Sequence, residues 1–361
     1  MQVRFGRRAF LTGVAAGLVA SPAVSWSKTE SLKLRQRWVT GNTVISPPAS
    51  DGAMIYFCGD KTAGGLAPGV VAPRWQFKLA EDAALQFRPR VGNGRVVFCG
   101  QRGIAVHDAT DGNLIWQRAA AIQTGVPMVN GTQVVLGDGH EIVALELATG
   151  IEQWRHAGVP DTLTNYAPVQ SGSAILAAPG DGRLYALDAA TGRLLWQRNG
   201  IDDWQYLRQL RVHKDILVGG SYKEKLFGIS ISDGRELWQF NAGNFINSHL
   251  VADGTAYLWS PTGFIYAIDA ETGAIRWRHE TTDYDENHAN WGPLMAELVV
   301  VDGKLLALDM FDVLHVLDTV DGKALAHVKV PAKIRHAVLP LAQDGLAFPT
   351  HQGEIVLTDG V

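Results

Sequence analysis

Residues able to do chemistry collect in five polar stretches, at 161–168, 201–210, 244–249, 281–293 and 331–336. The richest, TTDYDENHANWGP at 281–293, combines carboxylates, amides, a histidine and an indole. Carboxylate and amide oxygens suit a hard cation such as Ca²⁺, arginine pairs with carboxylates, and an unpaired aspartate can act as a general base. The candidate side chains are Asn165, Tyr166, Asp202, Asp203, Trp204, Tyr206, Arg208, Asn247, His249, Asp283, Asp285, Glu286, His288, Asn290, Trp291, Arg335 and His336.

The acidic stretch also has a simpler interpretation, which stays open at this point. Exposed loops are commonly polar, and Asp283, Asp285 and Glu286 would then only be solvated. The sequence contains no GxSxG, no phosphate-binding glycine loop and no HExxH, and its 11 histidines show no metal-ligand spacing on one strand. A lone histidine such as His315, in DVLHVLD, is predicted to be structural.

A repeated unit positions these stretches. The segment GRLYALDAATGRLLWQ, from Gly182 to Gln197, returns as GFIYAIDAETGAIRWR at 263–278. Before its turn, the side chains alternate with the two-residue period of a strand. Asp188 is predicted to start a hairpin by accepting from backbone N–H groups two and three residues on, and Gly192 to close it at positive φ. Trp196 follows on the returning strand, where it offers a large apolar surface to the next sheet.

The tryptophan of this unit recurs at intervals of 37 to 42 residues, at Trp38, Trp75, Trp116, Trp154, Trp196, Trp238 and Trp277. An eighth copy, LDTVDGKALA, has Ala326 in its place. A period near forty with four short strands per copy is typical of a propeller blade. The last copy, GEIVLTDG at 353–360, lacks an outermost strand, and the strand at 32–39 lacks inner ones.

These observations predict an all-β fold, an eight-bladed β-propeller of four-stranded antiparallel blades over residues 26–361. We expect the N- and C-terminal segments to pair and close the ring, which leaves no open sheet edge at the seam. The five polar stretches follow the Trp strands and lead into the innermost strands. They should therefore gather at one mouth of the central channel.

Two features of the first blades allow alternatives. The segment DKTAGGLAPGVVAP, ahead of Trp75, has too many glycines and prolines for a regular strand, and is either a loop over one mouth or a degenerate blade. Cys58 and Cys99 lie one repeat apart and are predicted to be two small buried thiols. A disulfide is the alternative, since matching points on neighbouring blades approach within about 7 Å only near the axis.

Residues 1–25 are predicted to be a twin-arginine signal peptide. Arg7 and Arg8 open the pattern RRAFLT, an apolar run follows, and Ala23-Val24-Ser25 fits a cleavage site. The apolar run is too short to span a bilayer of about 30 Å, although an uncleaved anchor is the alternative.

Removal of this segment leaves 29 basic and 36 acidic side chains, a net charge of −7. That charge argues against nucleic acid or an anionic membrane as the main partner. We expect a soluble, monomeric protein of the periplasm without a membrane anchor.

The units ALDAATGRLLW, AIDAETGAIRW and ALELATGIEQW resemble the pyrroloquinoline-quinone-like (PQQ-like) repeat, and the resemblance covers residues 26–361. That family includes quinoprotein alcohol dehydrogenases and cofactor-free binding propellers, such as the lipoprotein of the outer-membrane assembly machinery. The resemblance implies a scaffold that binds a periplasmic protein or a small-molecule ligand. The alternative is a small quinoprotein oxidoreductase that acts on an alcohol or aldehyde with PQQ and Ca²⁺ in the channel mouth.

For the oxidoreductase, the positions of the loops suggest roles for several candidates. We expect Asp285 or Asp283 as base, Glu286 and Asn290 as Ca²⁺ ligands, Arg208 and Arg335 on the quinone carboxylates, Trp291 or Trp204 stacked on the quinone, and Tyr166 and His249 in the cofactor pocket. The differences between this chain and the quinoprotein dehydrogenases favour the scaffold. The chain has no adjacent pair of cysteines, no CxxCH for a haem and none of the long insertions of the dehydrogenases.

Overall fold

The computed structural model describes residues 30–361 apart from 81–82, 161, 200–201, 205–206, 222–223, 244–245, 247, 261–262, 282–296, 310, 335–336 and 342–344. Its strands form eight sheets, seven of four strands and one of five. The first strands of most neighbouring sheets contact one another, so they line a central axis from which the sheets radiate as blades. The predicted eight-bladed β-propeller is confirmed.

The strands follow one another blade by blade. The N-terminal segment forms β1 (Glu30–Ser31) and β2 (Leu34–Val39). Blade one holds β3 (Ala49–Ser50), β4 (Ile55–Cys58), β5 (Thr62–Leu66) and β6 (Trp75–Lys78). Blade two holds β7 (Arg90–Gly92), β8 (Arg95–Gly100), β9 (Gly103–Asp108) and β10 (Leu114–Ala119). Blade three holds β11 (Met128–Val129), β12 (Gln133–Asp138), β13 (Glu141–Glu146) and β14 (Glu152–His156). Blade four holds β15 (Val169–Ser171), β16 (Ala174–Ala177), β17 (Leu184–Asp188) and β18 (Leu194–Arg198).

The second half of the ring repeats this order. Blade five holds β19 (Arg208–His213), β20 (Ile216–Gly220), β21 (Lys225–Ser230) and β22 (Glu236–Asn241). Blade six holds β23 (Ser248–Ala252), β24 (Thr255–Ser260), β25 (Phe264–Asp269) and β26 (Ile275–Glu280). Blade seven holds β27 (Val299–Val301), β28 (Lys304–Leu308), β29 (Val313–Asp318) and β30 (Ala324–Lys329). Blade eight holds β31 (Leu339–Leu341), β32 (Gly345–Pro349), β33 (Glu354–Asp359) and, as its outermost strand, β2.

The hairpin of the repeat forms as its sequence predicts. One carboxylate oxygen of Asp188 accepts from the backbone N–H groups of Ala190, at 3.2 Å, and Thr191, at 2.9 Å. Gly192 has a φ of 68°. The turn aspartate therefore satisfies backbone donors that no strand partner reaches.

The recurring tryptophans tie each blade to the next. Six of them donate Nε1–H to a backbone carbonyl of the following blade, at 2.8–3.1 Å. In each case the accepting residue directly follows the position that the turn aspartate, Asp188, occupies in blade four. Trp154, for example, donates to Ala189 at 2.9 Å, and its ring covers Gly192. Trp38 donates instead to Val70 of blade one. The tryptophan thus combines apolar packing with one directed hydrogen bond.

Both ends of the described chain meet at the seam of the ring. Strand β2 pairs antiparallel with β33, which confirms the predicted closure. The structure adds a contact that the sequence did not predict, because β1 pairs parallel with β30 as a fifth strand of blade seven. Ala326 lies on β30, and Leu32 and Val361 pack in the same apolar cluster. The terminal segments fill the space that a tryptophan occupies between other blades.

The first blades resolve the two open alternatives. The expectation of an irregular segment ahead of Trp75 is wrong in part, since TAGGL forms the fully buried strand β5. Gly64 fits there because a Cβ would lie 2.8 Å from the ring of Phe57. Cys58 and Cys99 are free and buried, and burial raises the pKa of each thiol to about 12.

Helix is nearly absent from the described residues, which contain one 3₁₀ turn, Asp202–Trp204. No helix in the described part of the chain is long and apolar enough to cross a membrane. His315 is buried and its Nε2 lies 3.0 Å from Asp309 Oδ2, as suits the structural role predicted for it.

Candidate functional site

Eight loops carry the chain from the outermost strand of one blade to the innermost strand of the next. Because four antiparallel strands return the chain to the side on which the blade began, all eight loops gather at one end of the channel, here called the loop mouth. The five polar stretches lie in these loops or run from them into the innermost strands. The loops are 40–48, 79–89, 120–127, 157–168, 199–207, 242–247, 281–298 and 330–338.

Most candidates for catalysis and metal binding lie outside the described residues, and their roles stay predictions. They are Asp283, Asp285, Glu286, Asn290, Trp291 and Arg335, together with Tyr206, Asn247, His288 and His336. Arg208 begins β19, at the end of that strand that faces the loop mouth.

Of the three predicted cofactor-pocket residues whose side chains are described, one presents surface at the mouth. Tyr166 is half-buried, and its ring lies over Gly180, where a Cβ would come within 2.8 Å of Tyr166 Cε2. Trp204 is 2% exposed and packs edge to face on Phe227, at a centroid distance of 6.1 Å, in the core between blades four and five. His249, on β23, is 3% exposed. The indole of Trp204 therefore has no exposed face on which a quinone could stack.

Two further polar candidates are engaged within the protein. Asn165 is exposed and accepts a hydrogen bond from Gln123 Nε2 of the preceding loop, at 2.9 Å. Asp203 pairs with Lys225, with 2.6 Å between Oδ2 and Nζ. The first contact links two loops of the mouth, and the second pairs one of the candidate polar side chains with a lysine of blade five.

The structure adds an ion pair across the channel that the sequence analysis missed. Arg88, in loop 79–89, and Glu297, in loop 281–298, lie 2.6 Å apart between Nη2 and Oε2. These loops lead into blades two and seven, which are not neighbours in the ring, so the pair meets near the axis. Their side chains are 27% and 40% exposed, and water therefore reaches both.

Two more guanidinium groups adjoin this pair. Arg90 begins β7 and donates Nε–H to Pro127 O at 3.1 Å, and Arg211, on β19, donates Nη1–H to Leu210 O at 3.1 Å. Burial lowers the pKa of Arg90 to about 10, an effect that Arg88 and Arg211 reinforce and Glu297 opposes. Burial likewise lowers the pKa of Arg211. All four residues lie within three positions of the first residue of an innermost strand, β7, β19 or β27, at the end of the channel where the loops gather, and these charge effects agree with that placement; we call the four residues the channel cluster.

Arg90 remains protonated at neutral pH, since a pKa near 10 still lies well above 7, and Arg211 is counted as positive because guanidinium groups stay protonated in proteins. Arg90 and Arg211 are partly buried, so that solvent reaches part of each side chain. The protein atoms around the rest of each group lower its pKa.

A β-bulge helps to place Arg211. The register of β19 against β20 shifts between Arg208 and Arg211, and Gln209 has a φ of 53°, in the left-handed region that residues with a side chain seldom adopt. An extra residue moves the side chains that follow to the other face of a strand. The bulge therefore decides which β19 side chains point toward the channel.

The channel cluster suits binding of anions. Three guanidinium groups against one carboxylate leave two positive charges. The loop acids whose side chains the structure describes, Asp203 and Glu297, are both ion-paired. No group of three or more histidine, cysteine, aspartate or glutamate side chains among the described residues could hold a metal ion.

A sequence signal for half of the cluster existed. The segment FRPRVG, at 87–92, follows a Trp strand and leads into an innermost strand, as the five polar stretches do. The five polar stretches belong to the loops that lead into blades four to eight, and the same pattern at blade two contains Arg88 and Arg90. Arg211 and Glu297 carried no such signal, since the bulge and the ring closure place them.

Comparison with known proteins links this geometry to two groups. A family model described as outer membrane protein assembly factor BamB, of the PQQ_2 type, matches residues 68–200, 100–244, 180–289 and 262–359. An outer membrane protein assembly factor BamB from Yersinia pestis is 28% identical over 133 residues, 34% of this chain and 33% of the relative. The quinohemoprotein alcohol dehydrogenase ADH-IIG from Pseudomonas putida is 25% identical over 307 residues, 72% of this chain and 42% of the relative.

A solved structure agrees on the fold. BamB from Moraxella catarrhalis superposes with a TM-score of 0.69 at 18% identity, covering 91% of this chain and 99% of that one. The chain spans a third of the length of the Yersinia pestis relative and about two fifths of the Pseudomonas putida one.

Proposed function

The chain belongs to the family described as outer membrane protein assembly factor BamB, and on that premise we propose that it is a periplasmic scaffold whose loop mouth binds a protein partner in outer-membrane protein assembly. The observation that carries the proposal is the state of the loop acids. Asp203 and Glu297, whose side chains the structure describes, are neutralised by Lys225 and Arg88. The described loop acids are thus ion-paired, as a general base would not be, and the described arginines in excess of them suit binding of a partner.

Deletion and complementation test this role. Removing the gene from its host should lower the amounts of outer-membrane proteins, measured by mass spectrometry of isolated outer membranes, and the wild-type gene should restore them. Asn165→Arg places a charge on the loop mouth and should fail to restore them. Asn113→Arg, on the outer hairpin of blade two, makes the same change away from the mouth and should restore them. Unchanged outer membranes after deletion would reject the proposal.

The location depends on the segment 1–25, which lies outside the described residues. We propose that it directs export by the twin-arginine route, as Arg7 and Arg8 suggest. Changing both to lysine should hold the full-length precursor in the cytoplasm, as seen by cell fractionation and immunoblotting. Export at the wild-type level would show that another route is used.

A small quinoprotein oxidoreductase is the second candidate, favoured by the Pseudomonas putida relative, which matches 72% of this chain. The described residues fit it in part. The arginines of the channel cluster suit a polyanionic quinone, but the proposed base and Ca²⁺ ligands, Asp285, Glu286 and Asn290 among them, lie outside the described residues.

Titration of the purified protein with PQQ, with and without Ca²⁺, separates the two functions. A Ca²⁺-dependent dissociation constant below about 1 µM, followed by Trp fluorescence, would support the oxidoreductase, and no binding would reject it. If PQQ binds, Asp285→Ala and Glu286→Ala should weaken binding or turnover. Unchanged values would show that these two residues were assigned wrongly.

A further inference from the structure

We infer that the channel cluster of Arg88, Arg90, Arg211 and Glu297 is a binding site for an anion with two carboxylate groups. The anion is either a free dicarboxylate or a pair of acidic side chains on a segment of a partner protein. This inference goes beyond the scaffold role, because a free dicarboxylate would bind here whether or not the protein serves outer-membrane assembly.

The first support is the number of hydrogen-bond donors left over. A guanidinium group carries five N–H donors. Within the described residues, Arg90 and Arg211 each use one of them on a backbone carbonyl. Arg88 Nε is buried and has no hydrogen-bond partner in the described structure. A buried donor without a partner, as at Arg88 Nε, is costly. An anion in the channel would satisfy this donor and could replace water on the partly exposed donors of Arg90 and Arg211.

The second support is charge. Within the described part of the chain, Arg88, Arg90 and Arg211 face one carboxylate, Glu297, and the charge of Arg88 lowers the pKa of both Arg90 and Arg211. A ligand with two negative charges would balance the surplus, and a monovalent ion would balance half of it. Because the ligand would bind only the folded ring, it should also raise the stability of the protein.

The third support is geometry, which favours carboxylates. Arg90 and Arg211 belong to blades two and five, which are not neighbours, and separate backbone carbonyls anchor them. Two separate planar guanidinium groups match two separate carboxylates better than one compact anion. The third guanidinium group, that of Arg88, already binds a carboxylate, that of Glu297.

Isothermal titration calorimetry in a low-salt Tris buffer tests the site, with succinate as the free dicarboxylate. Wild-type protein should bind succinate, and Arg211→Gln should weaken binding by about tenfold or more. Glu297→Gln removes the competing carboxylate and should tighten binding by a similar factor. Arg193→Gln, an exposed arginine on the outer hairpin of blade four, should leave binding unchanged.

The melting temperature of each variant is measured first, so that loss of binding is not confused with loss of fold. If Arg211→Gln does not fold, Arg88→Gln and Arg211→Lys replace it, since the lysine keeps the charge but loses the planar fork. Equal affinity in wild type and Arg88→Gln, or weaker binding in Glu297→Gln, would overturn the inference. Binding of inorganic phosphate without binding of either succinate or a peptide with two glutamates would overturn it too.

A blocked peptide with two glutamates, beside the same peptide with glutamines, identifies the source of the carboxylates. Binding of the glutamate peptide alone assigns the site to a partner segment, and binding of succinate alone assigns it to a free dicarboxylate. Binding of neither overturns the inference. Succinate binding by a protein whose deletion leaves the outer membrane unchanged would reject the scaffold role and retain the site.

Discussion

The contact between Trp154 and Gly192 allows a quantitative test of how neighbouring blades are joined. Trp154 is 6% exposed, and Trp154→Ala should lower the free energy of unfolding by about 3–5 kcal/mol, the usual cost of truncating a large buried aromatic. Trp154→Phe keeps an aromatic ring but loses the Nε1–H bond to Ala189. That carbonyl also accepts from Gln133 Nε2 at 3.2 Å, so it keeps a partner, and the lost bond should cost only about 1 kcal/mol.

The glycine on the other side of the contact supplies the second half of the test. Gly192 has a φ of 68°, and a Cβ there would lie 2.5 Å from Trp154 Cε3. Gly192→Ala should therefore lower the free energy of unfolding by about 1–2 kcal/mol through backbone strain, and further through a collision with the ring. Gly94 has the same φ of 68° and nothing within 4 Å of its Cβ position, so Gly94→Ala reports the strain alone.

Urea unfolding followed by far-ultraviolet circular dichroism measures all of these variants without relying on the tryptophans. In the Trp154→Ala background, Gly192→Ala should cost no more than Gly94→Ala, because the ring is gone. The two single changes should thus be non-additive by about 1 kcal/mol or more. Additive costs, or equal costs for Gly192→Ala and Gly94→Ala in the wild type, would refute the packing argument.

Three further predictions follow from other contacts. Ala326→Trp restores the tryptophan of the repeat but should destabilise by about 1–3 kcal/mol in urea unfolding, because the terminal segments already fill that space; a gain in stability would contradict this. Cys58 and Cys99 should react with a thiol reagent only after unfolding, since both are buried and their pKa values are raised to about 12; labelling of the native protein would contradict it. Burial lowers the pKa of His107 below 6.5, so the unfolded chain binds more protons and stability should fall as pH drops below 6.5. Melting curves from pH 7.5 to 5.5 should show a smaller fall for His107→Gln, and an equal fall would show that other groups are responsible.

The repeat was predictable because its chemistry is local. Asp188, Gly192 and Trp196 lie within nine residues, and each copy makes the same turn, so periodicity predicted both the blade and the number of blades. Strand β5 was harder, since its glycines disfavour a strand on their own. They fit because the rings of Phe57 and Trp75 occupy the space that side chains would need. Such a match between distant segments is invisible in a local pattern.

The functional site, too, could be predicted only where its sequence signal is local. The sequence predicted the loop mouth, because the Trp strand locates the loop that follows it. It did not predict the channel cluster, which joins residues 88–90, 211 and 297 only when the ring closes. The bulge at Gln209 adds a further obstacle, since one extra residue exchanges the two faces of β19. Strand β1 was missed because its parallel partner depends on the space beside Ala326.

The seam between β2 and β33 has a consequence for the time course of folding. Arg37 and Glu354, which form an ion pair at this seam, are 317 residues apart in the chain. Joining the ends of so long a segment costs about 5 kcal/mol of chain entropy if the segment is unstructured. Blades formed first would hold the two ends closer together and reduce that cost. We therefore expect ring closure to be a late, slow step, and the blades to be present before the circle is complete.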